Sequence, residues 1–192
     1  PETLTILSNN NPHCKIIVPL AEIEEAANRG AKKDQIIPIN ADQIINLDKN
    51  LKIVGVAAAH ETIKMNEKGE HHFLGYIFCL GNIRIYHSGD CIPYKGLSKK
   101  LKSYKIDLAL LPINGRDEYR LKNGIAGNFK ISEVLKICKQ AKIDHLIVHH
   151  FGMFAYNTVT EEELKGIKEE SSKHLKIIVP RINYVYNIIK NK

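Results

Sequence analysis

The chain has 192 residues, a formal net charge of +7 at pH 7 and a hydrophobic share of 44%, as expected for one globular domain with a substantial core. No apolar run approaches the roughly 20 residues that span a bilayer, and the first residues lack a signal-peptide pattern. The four cysteines are scattered without a C-x-x-C pair, which predicts reduced thiols in a cytoplasmic protein. The lysines are dispersed, so nucleic-acid binding is only weakly supported, and a small anionic substrate fits the net charge equally well.

The first half of the chain predicts mostly short strands. A helix is predicted to begin at Pro19, a residue well suited to the first helical position, with Gly30 as its C-terminal cap. Gly81-Asn82 predicts a hairpin turn between two strands. The predicted strands cover residues 15–18, 35–39, 43–47, 51–59, 72–80 and 83–86.

The second half alternates predicted strands and helices. Helices are expected from Pro93 onward, around the apolar stripe of residues 131–138, and after the capping-box pair Thr160 and Glu163. A polar loop is expected up to Asn128. The predicted strands cover residues 107–111, 146–148, 175–179 and 182–188. The pattern predicts one mixed α/β layer structure, hairpin-rich first and βαβ-like afterwards.

Polar side chains stand at the ends of four predicted strands. Ligands bind at such strand ends in α/β sheets. His60, Asp90 and His150 combine imidazoles with a carboxylate, a donor set that suits a divalent metal, and Asp90 could bridge two ions. Asn114 and Arg116 follow another strand and suit an anion, because a guanidinium fork matches phosphate or carboxylate oxygens.

A nucleophilic mechanism is the rival within enzymes. His87 could pair with Ser88 or Cys91 as base and nucleophile. Residues so close in sequence seldom reach the required geometry, and no third orienting group is evident. We therefore disfavour this alternative.

Several segments together resemble one known family. Residues 87–97, HSGDCIPYKGL, resemble the fourth motif of the metallo-β-lactamase superfamily. Within it, the chain is similar to the L-ascorbate-6-phosphate lactonase family, which segments 107–117 (DLALLPINGRD), 123–128 (NGIAGN) and 150–158 (HFGMFAYNT) also resemble. The resemblance implies an α/β fold, the αββα sandwich of the superfamily, with metals at one sheet edge.

The resemblance also implies roles for the strand-end residues. By position, His60 resembles the ligand of the third motif, Asp90 the bridging carboxylate and His150 the ligand of the last motif. Two ions, zinc or manganese, are implied, with Asp90 and His150 as catalytic residues. His149 stays open as an alternative to His150. Cys91 stands where the family usually has threonine.

The implied reaction is metal-assisted hydrolysis of a lactone. Arg116 and Asn114 would hold a sugar phosphate, and Asn128 and Asn157 would shape the pocket. Two alternatives stay open: another hydrolase of the superfamily, such as an RNA phosphodiesterase, and a non-catalytic, metal-poor module. No membrane partner is expected, and a homo-oligomer is possible.

The superfamily's His-x-His-x-Asp-His motif is absent from the sequence. We therefore interpret residues 1–192 as a single domain, the C-terminal part of the sandwich, incomplete at its N-terminus. On this interpretation the chain alone should bind metal weakly, show no turnover, and associate with itself through the uncovered face of its sheet.

Overall fold

The computed structural model describes residues 2–188. The helices are α1 (Glu2–Asn10), α2 (Ile23–Asn28), α3 (Leu97–Tyr104), α4 (Glu118–Lys122), α5 (Ile131–Ala141) and α6 (Glu161–Glu169). The strands are β1 (Ile16–Pro19), β2 (Ile36–Ile39), β3 (Ile44–Asn46), β4 (Leu51–Ala57), β5 (Ala59–His60), β6 (Thr62–Ile63), β7 (Leu74–Leu80), β8 (Ile83–His87), β9 (Leu108–Pro112), β10 (His145–His149) and β11 (Lys176–Ile178).

Seven of the strands form one mixed sheet in the order β11-β10-β9-β8-β7-β4-β3. Strands β3, β4, β7 and β8 pair antiparallel, as short hairpin connections allow. Strands β8 to β11 pair parallel, with helices in the connections between them. The predicted hairpin-rich first half and βαβ-like second half are therefore confirmed. Two short pairs, β1–β2 and β5–β6, lie outside this sheet.

One face of the sheet packs against helices α3, α5 and α6. The apolar stripe predicted for α5 places Val134 and Cys138 in this core, where both are fully buried. Because successive strand residues point to opposite faces, every second residue of each strand contributes to the layer. Its other members include Leu97, Leu101, Ile167, Val54, Val56, Ile77, Ala109, Leu111, Leu146 and Val148.

The opposite face of the sheet is only partly covered. Its side chains include Phe78, Ile85, Leu110 and Ile147, all half-buried. The strand predicted over residues 182–188 is absent and that prediction is wrong. Instead, Tyr186 and Ile188 line a 340 Å³ cavity on this face, together with Ile83, Ile85 and Ile147. Tyr186 and Ile188 thus contact the face of the sheet instead of pairing at its edge, whereas Ile182 and Tyr184 are exposed.

Three further predictions needed correction. Pro19 ends β1, and the helix begins after it with a 3₁₀ turn over Leu20–Glu22. The strand predicted over 51–59 is divided into β4 and β5. Helix α1 was not predicted, and α4 lies in the predicted polar loop. No helix within residues 2–188 has the length and apolar character to cross a membrane.

Candidate metal centre

Three strand ends bring His60, Asp90 and His150 together. Strand β5 ends at His60, Asp90 follows β8, and His150 follows β10. The two carboxylate oxygens of Asp90 face different imidazoles: Oδ1 lies 3.4 Å from Nε2 of His150, and Oδ2 lies 4.0 Å from Nε2 of His60. The convergence expected from the strand ends is present, with Asp90 between the two rings.

The backbone turns sharply at each of these positions. His150, Gly89 before Asp90 and Glu61 after His60 all have left-handed conformations, with φ of 61°, 61° and 70°. Glycine adopts this conformation at little cost, whereas a residue with a Cβ is strained by about 1–3 kcal/mol. His150 is therefore held in a strained conformation that aims its ring at Asp90.

His149 occupies a different environment from His150. Its ring packs against His87, with the ring centroids 4.8 Å apart. Burial, with His87 and His150 adding to it, lowers the pKa of His149 to about 4, so its ring is neutral at pH 7. Its Nε2 atom is buried and has no hydrogen-bond partner within the described part of the chain. The structure thus brings His150, and not His149, to Asp90.

These residues fit a divalent metal in donor type but form an incomplete set. Imidazole nitrogen and carboxylate oxygen are ligands that zinc and other divalent ions accept. Within residues 2–188, no group of three or more His, Cys, Asp or Glu side chains is arranged so that it could hold an ion. His60, Asp90 and His150 are therefore candidates for part of a ligand set.

A cleft of about 310 Å³ adjoins Asp90 and His60. Phe73 packs on the His60 ring with a centroid distance of 5.2 Å. His72 contacts Glu22, with 2.5 Å between Nδ1 and Oε1. Tyr76 also lines the cleft, and burial raises its pKa to about 12, so its hydroxyl keeps its proton. These wall residues were not predicted as site residues, and they lie in the first half of the strand predicted over 72–80.

The proposed nucleophiles near His87 are not available for attack. Cys91 is buried, and burial raises the pKa of its thiol to about 11. Its sulfur accepts a hydrogen bond from the Ala59 amide at 3.4 Å and donates to the Ile92 carbonyl at 3.2 Å. Ser88 is also buried, and its hydroxyl donates to the Gly89 carbonyl. The judgement against a Ser or Cys nucleophile is confirmed.

The four predicted substrate-binding residues mainly contact protein groups. Asn114 donates to Asn157 Oδ1 at 2.8 Å, and Asn128 donates to Asn114 Oδ1 at 3.0 Å. Asn114 and Asn128 are only 1% and 2% exposed. The Arg116 guanidinium donates to both carboxylate oxygens of Glu133, at 2.7 and 2.6 Å. The role of these residues in substrate binding stays a prediction, and the Arg116 fork is already engaged.

Asn114 and Arg116 line a second cleft of about 400 Å³, which His60, Asp90 and His150 do not line. Arg120 also lines this cleft and was missed by the sequence analysis. Its Nη1 atom donates to Asn157 Oδ1 and to the Asn114 carbonyl, both at 2.8 Å. The only sequence signal was its position three residues after Asp117, a residue type that caps helices by accepting from a backbone amide two or three residues later.

Residues 4–151 match the family model described as Beta-lactamase superfamily domain. The chain belongs to this family. The superfamily part of the predicted resemblance is thereby confirmed, and the L-ascorbate-6-phosphate lactonase-like part stays a prediction. Comparison with curated proteins gives no match.

Solved structures share the fold of this superfamily domain. The metallo hydrolase Igni18 from the hyperthermophilic archaeon Ignicoccus hospitalis KIN4/I is 20% identical, with a TM-score of 0.68. The superposition covers 93% of the present chain and 70% of the Igni18 chain. YhfI from Bacillus subtilis, a metallo-beta-lactamase fold protein, has 17% identity and a TM-score of 0.62, covering 92% and 68%. The isothiocyanate hydrolase from Delia radicum gut bacteria has 16% identity and a TM-score of 0.61, covering 86% and 66%.

At these identities the likeness concerns the fold of the superfamily domain. The mixed α/β sheet with helices against one face is the predicted fold class, which is confirmed. The chain spans about two thirds of the length of these proteins.

Proposed function

We propose that this superfamily domain is a metal-dependent hydrolase centred on Asp90. The observation that carries the proposal is the placement of the Asp90 carboxylate, which faces one imidazole with each oxygen. The metallo hydrolase fold of the structural relatives supports it further. A divalent ion held there would supply a nucleophilic hydroxide at neutral pH and would polarise the scissile carbonyl.

Each residue near Asp90 has a proposed part in this chemistry. Asp90 would be the carboxylate shared by two ions, zinc or manganese, and His60 and His150 would be further ligands. Phe73 packs on the His60 ring and fixes its orientation. The Tyr76 hydroxyl keeps its proton and can donate a hydrogen bond to an oxygen of the substrate.

The substrate that we propose is a lactone of a phosphorylated sugar, opened by water. The resemblance of segments 87–97, 107–117 and 150–158 to the lactonase family supports this choice. Of the cationic residues that line the second cleft, Lys130 suits the phosphate end, since Arg116 and Arg120 are paired with Glu133 and Asp117. The four free cysteines support a cytoplasmic location.

Metal binding tests the proposal directly. Three residues give each of two ions fewer than the three or four protein ligands typical of stable zinc sites, so we expect weak binding of manganese by the 192-residue protein. Free Mn²⁺ can be counted by electron paramagnetic resonance during a titration. Asp90→Asn should weaken binding by about tenfold or more, because it removes the charge between the two imidazoles.

Asp48→Asn is the matched control, since Asp48 is an exposed aspartate that accepts hydrogen bonds in the turn before β4. Equal binding by wild type, Asp90→Asn and Asp48→Asn would refute the metal centre. Tight binding of two ions by the wild type would refute the incomplete ligand set instead. Salt-dependent RNA binding with RNA cleavage would favour the phosphodiesterase over the lactonase.

A further inference from the structure

We infer that Arg120 is a positioning residue: through Asn157 it clamps the loop after β10 and so fixes His150 beside Asp90. This His150 loop comprises residues 150–159, between β10 and the start of α6. The inference rests on the proposed function only in giving His150 a part in metal binding. The contacts that carry it are independent of any metal.

The His150 loop is closed at its base and exposed at its tip. The Gly152 amide donates to Thr158 Oγ1 at 2.7 Å, which joins the two ends of the loop. Met153 is 80% exposed and Tyr156 is 62% exposed, and the Phe154 and Tyr156 rings contact each other. A tip with so little burial contributes little to holding the loop in place. The position of the loop therefore depends on contacts near its base.

Asn157 supplies such a contact. Its Oδ1 atom accepts hydrogen bonds from Arg120 Nη1 and from Asn114 Nδ2, each at 2.8 Å. The same Nη1 atom donates to the Asn114 carbonyl, which joins the loop after β9 to the His150 loop. Asn114 is in turn held by Asn128. One guanidinium thus connects the loops that follow two neighbouring parallel strands.

The Arg120 side chain is itself held in place by contacts other than those with the His150 loop. Asp117 Oδ2 accepts from Arg120 Nε at 2.6 Å, and the Arg120 side chain is only 12% exposed. Asp117 also caps α4 by accepting from the Arg120 amide. A guanidinium this well enclosed needs every acceptor it has, because an unpaired buried charge is costly. The short helix α4 therefore holds Arg120 in one orientation toward Asn157.

Arg116 provides a natural control on the same β9 loop. Its guanidinium is also half-buried, donates to the Glu133 carboxylate and to the Asn128 carbonyl, and forms an ion pair of the same length. Its hydrogen bonds reach Asn128 and α5, and none joins it to the His150 loop in the part of the chain that the structure describes. Loss of Arg116 should therefore lower stability without releasing that loop.

The test compares Arg120→Met with Arg116→Met in the full chain. Chymotrypsin cleavage after Phe154 and Tyr156 measures opening of the loop, and the NMR resonance of the His150 ring, assigned with His150→Gln, reports its position. For Arg120→Met we expect cleavage about tenfold faster, since a hydrogen bond from a charged group is worth roughly that factor, together with a shifted His150 resonance. Arg116→Met should change neither.

Two variants of Asn157 test the same contact from the other side. Asn157→Ala removes the acceptor and should behave like Arg120→Met, whereas Asn157→Asp keeps an oxygen for Arg120 and should restore slow cleavage. Similar cleavage in both arginine variants, or an unmoved His150 resonance in Arg120→Met, would overturn the inference. Both readouts are made without metal, so failure of metal binding would refute the proposed function and leave this result standing.

Discussion

The Arg116–Glu133 pair gives a sharp prediction, because a second glutamate, Glu163, holds the equivalent position in another helix and serves as a control. Glu133 is the third residue of α5, and its carboxylate caps the start of this helix by accepting from the Lys130 amide at 2.8 Å. Glu163 holds the same position in α6 and accepts from the Thr160 amide at the same distance. The Glu133 carboxylate also accepts from Nη1 and Nη2 of Arg116. Glu133→Gln removes the ion pair, and Glu163→Gln tests the cap alone.

The expected loss follows from the geometry of the pair. The two side chains are 24% and 25% exposed, so the interaction is partly screened but mostly enclosed. A hydrogen bond to a charged group contributes about 1.5–3 kcal/mol to stability. Removing the Glu133 carboxylate also leaves the half-buried Arg116 guanidinium without its partner. We expect Glu133→Gln to lower the free energy of unfolding by about 2 kcal/mol, or Tm by about 4–8 °C. Glu163→Gln should cost about 0.5 kcal/mol or less.

The pH dependence identifies the cause of this loss. Burial alone would raise the pKa of Glu133, but hydrogen bonds from Arg116 and the Lys130 amide outweigh it and lower the pKa below 4.5, its ordinary value. A carboxylate with a lowered folded pKa stabilises the protein above its unfolded pKa, and this stabilisation disappears as pH falls through the folded pKa. The difference between wild type and Glu133→Gln should therefore be full at neutral pH and shrink below pH 4.5.

Urea unfolding followed by circular dichroism, repeated at several pH values, measures both effects. The reasoning is refuted if Glu133→Gln and Glu163→Gln lower the free energy of unfolding equally at neutral pH. The loss of the hydrogen bond from the N-cap amide would then explain both effects. The reasoning is also refuted if the loss in Glu133→Gln is the same in acid as at neutral pH. In that case Arg116 would be free to bind a substrate phosphate, as the sequence analysis expected.

Two further predictions concern the buried thiol and the uncovered sheet face. Cys91 should resist labelling by iodoacetamide at mildly alkaline pH, because burial raises its pKa to about 11. The partly exposed Cys14 should be labelled under the same conditions. Rapid labelling of Cys91 in the folded protein, detected by mass spectrometry, would contradict its packing. The protein should self-associate, as measured by sedimentation velocity, through the sheet face that carries Phe78, Leu110 and Ile147. Ile147→Lys should reduce this association, because it places a charge in the contact. A monodisperse wild-type monomer at all concentrations would count against the prediction.

The convergence of His60, Asp90 and His150 could be predicted because strand ends are local features of the sequence. An apolar run that stops at His60 or shortly before Asp90 shows where the chain leaves the sheet, and parallel strands leave it at a common edge. Fold class followed from the same alternation of strands and helices. His149 and His150 could not be separated in this way, because the left-handed conformation at His150 decides which ring faces Asp90.

The contacts of the polar loops were beyond prediction from sequence. Arg116 and Glu133 are 17 residues apart, and nothing in the local pattern indicates that they pair instead of leaving Arg116 for a ligand. Arg120 lies in a five-residue helix with no buried residue, so no apolar periodicity marked it. Residues 182–188 show the converse failure: their alternating apolar residues predicted a strand, but only Tyr186 and Ile188 pack on the sheet face, and Ile182 and Tyr184 are exposed.

The closed base of the His150 loop has an evolutionary consequence. Because Gly152 and Thr158 are joined at the base and Asn157 is held by Arg120, the tip residues 153–156 can change in identity or number without moving the chain on either side. Met153, Phe154 and Tyr156 are thus insulated from the residue that faces Asp90. A protein built in this way can vary the sequence and length of the tip while the histidine beside the carboxylate stays where it is.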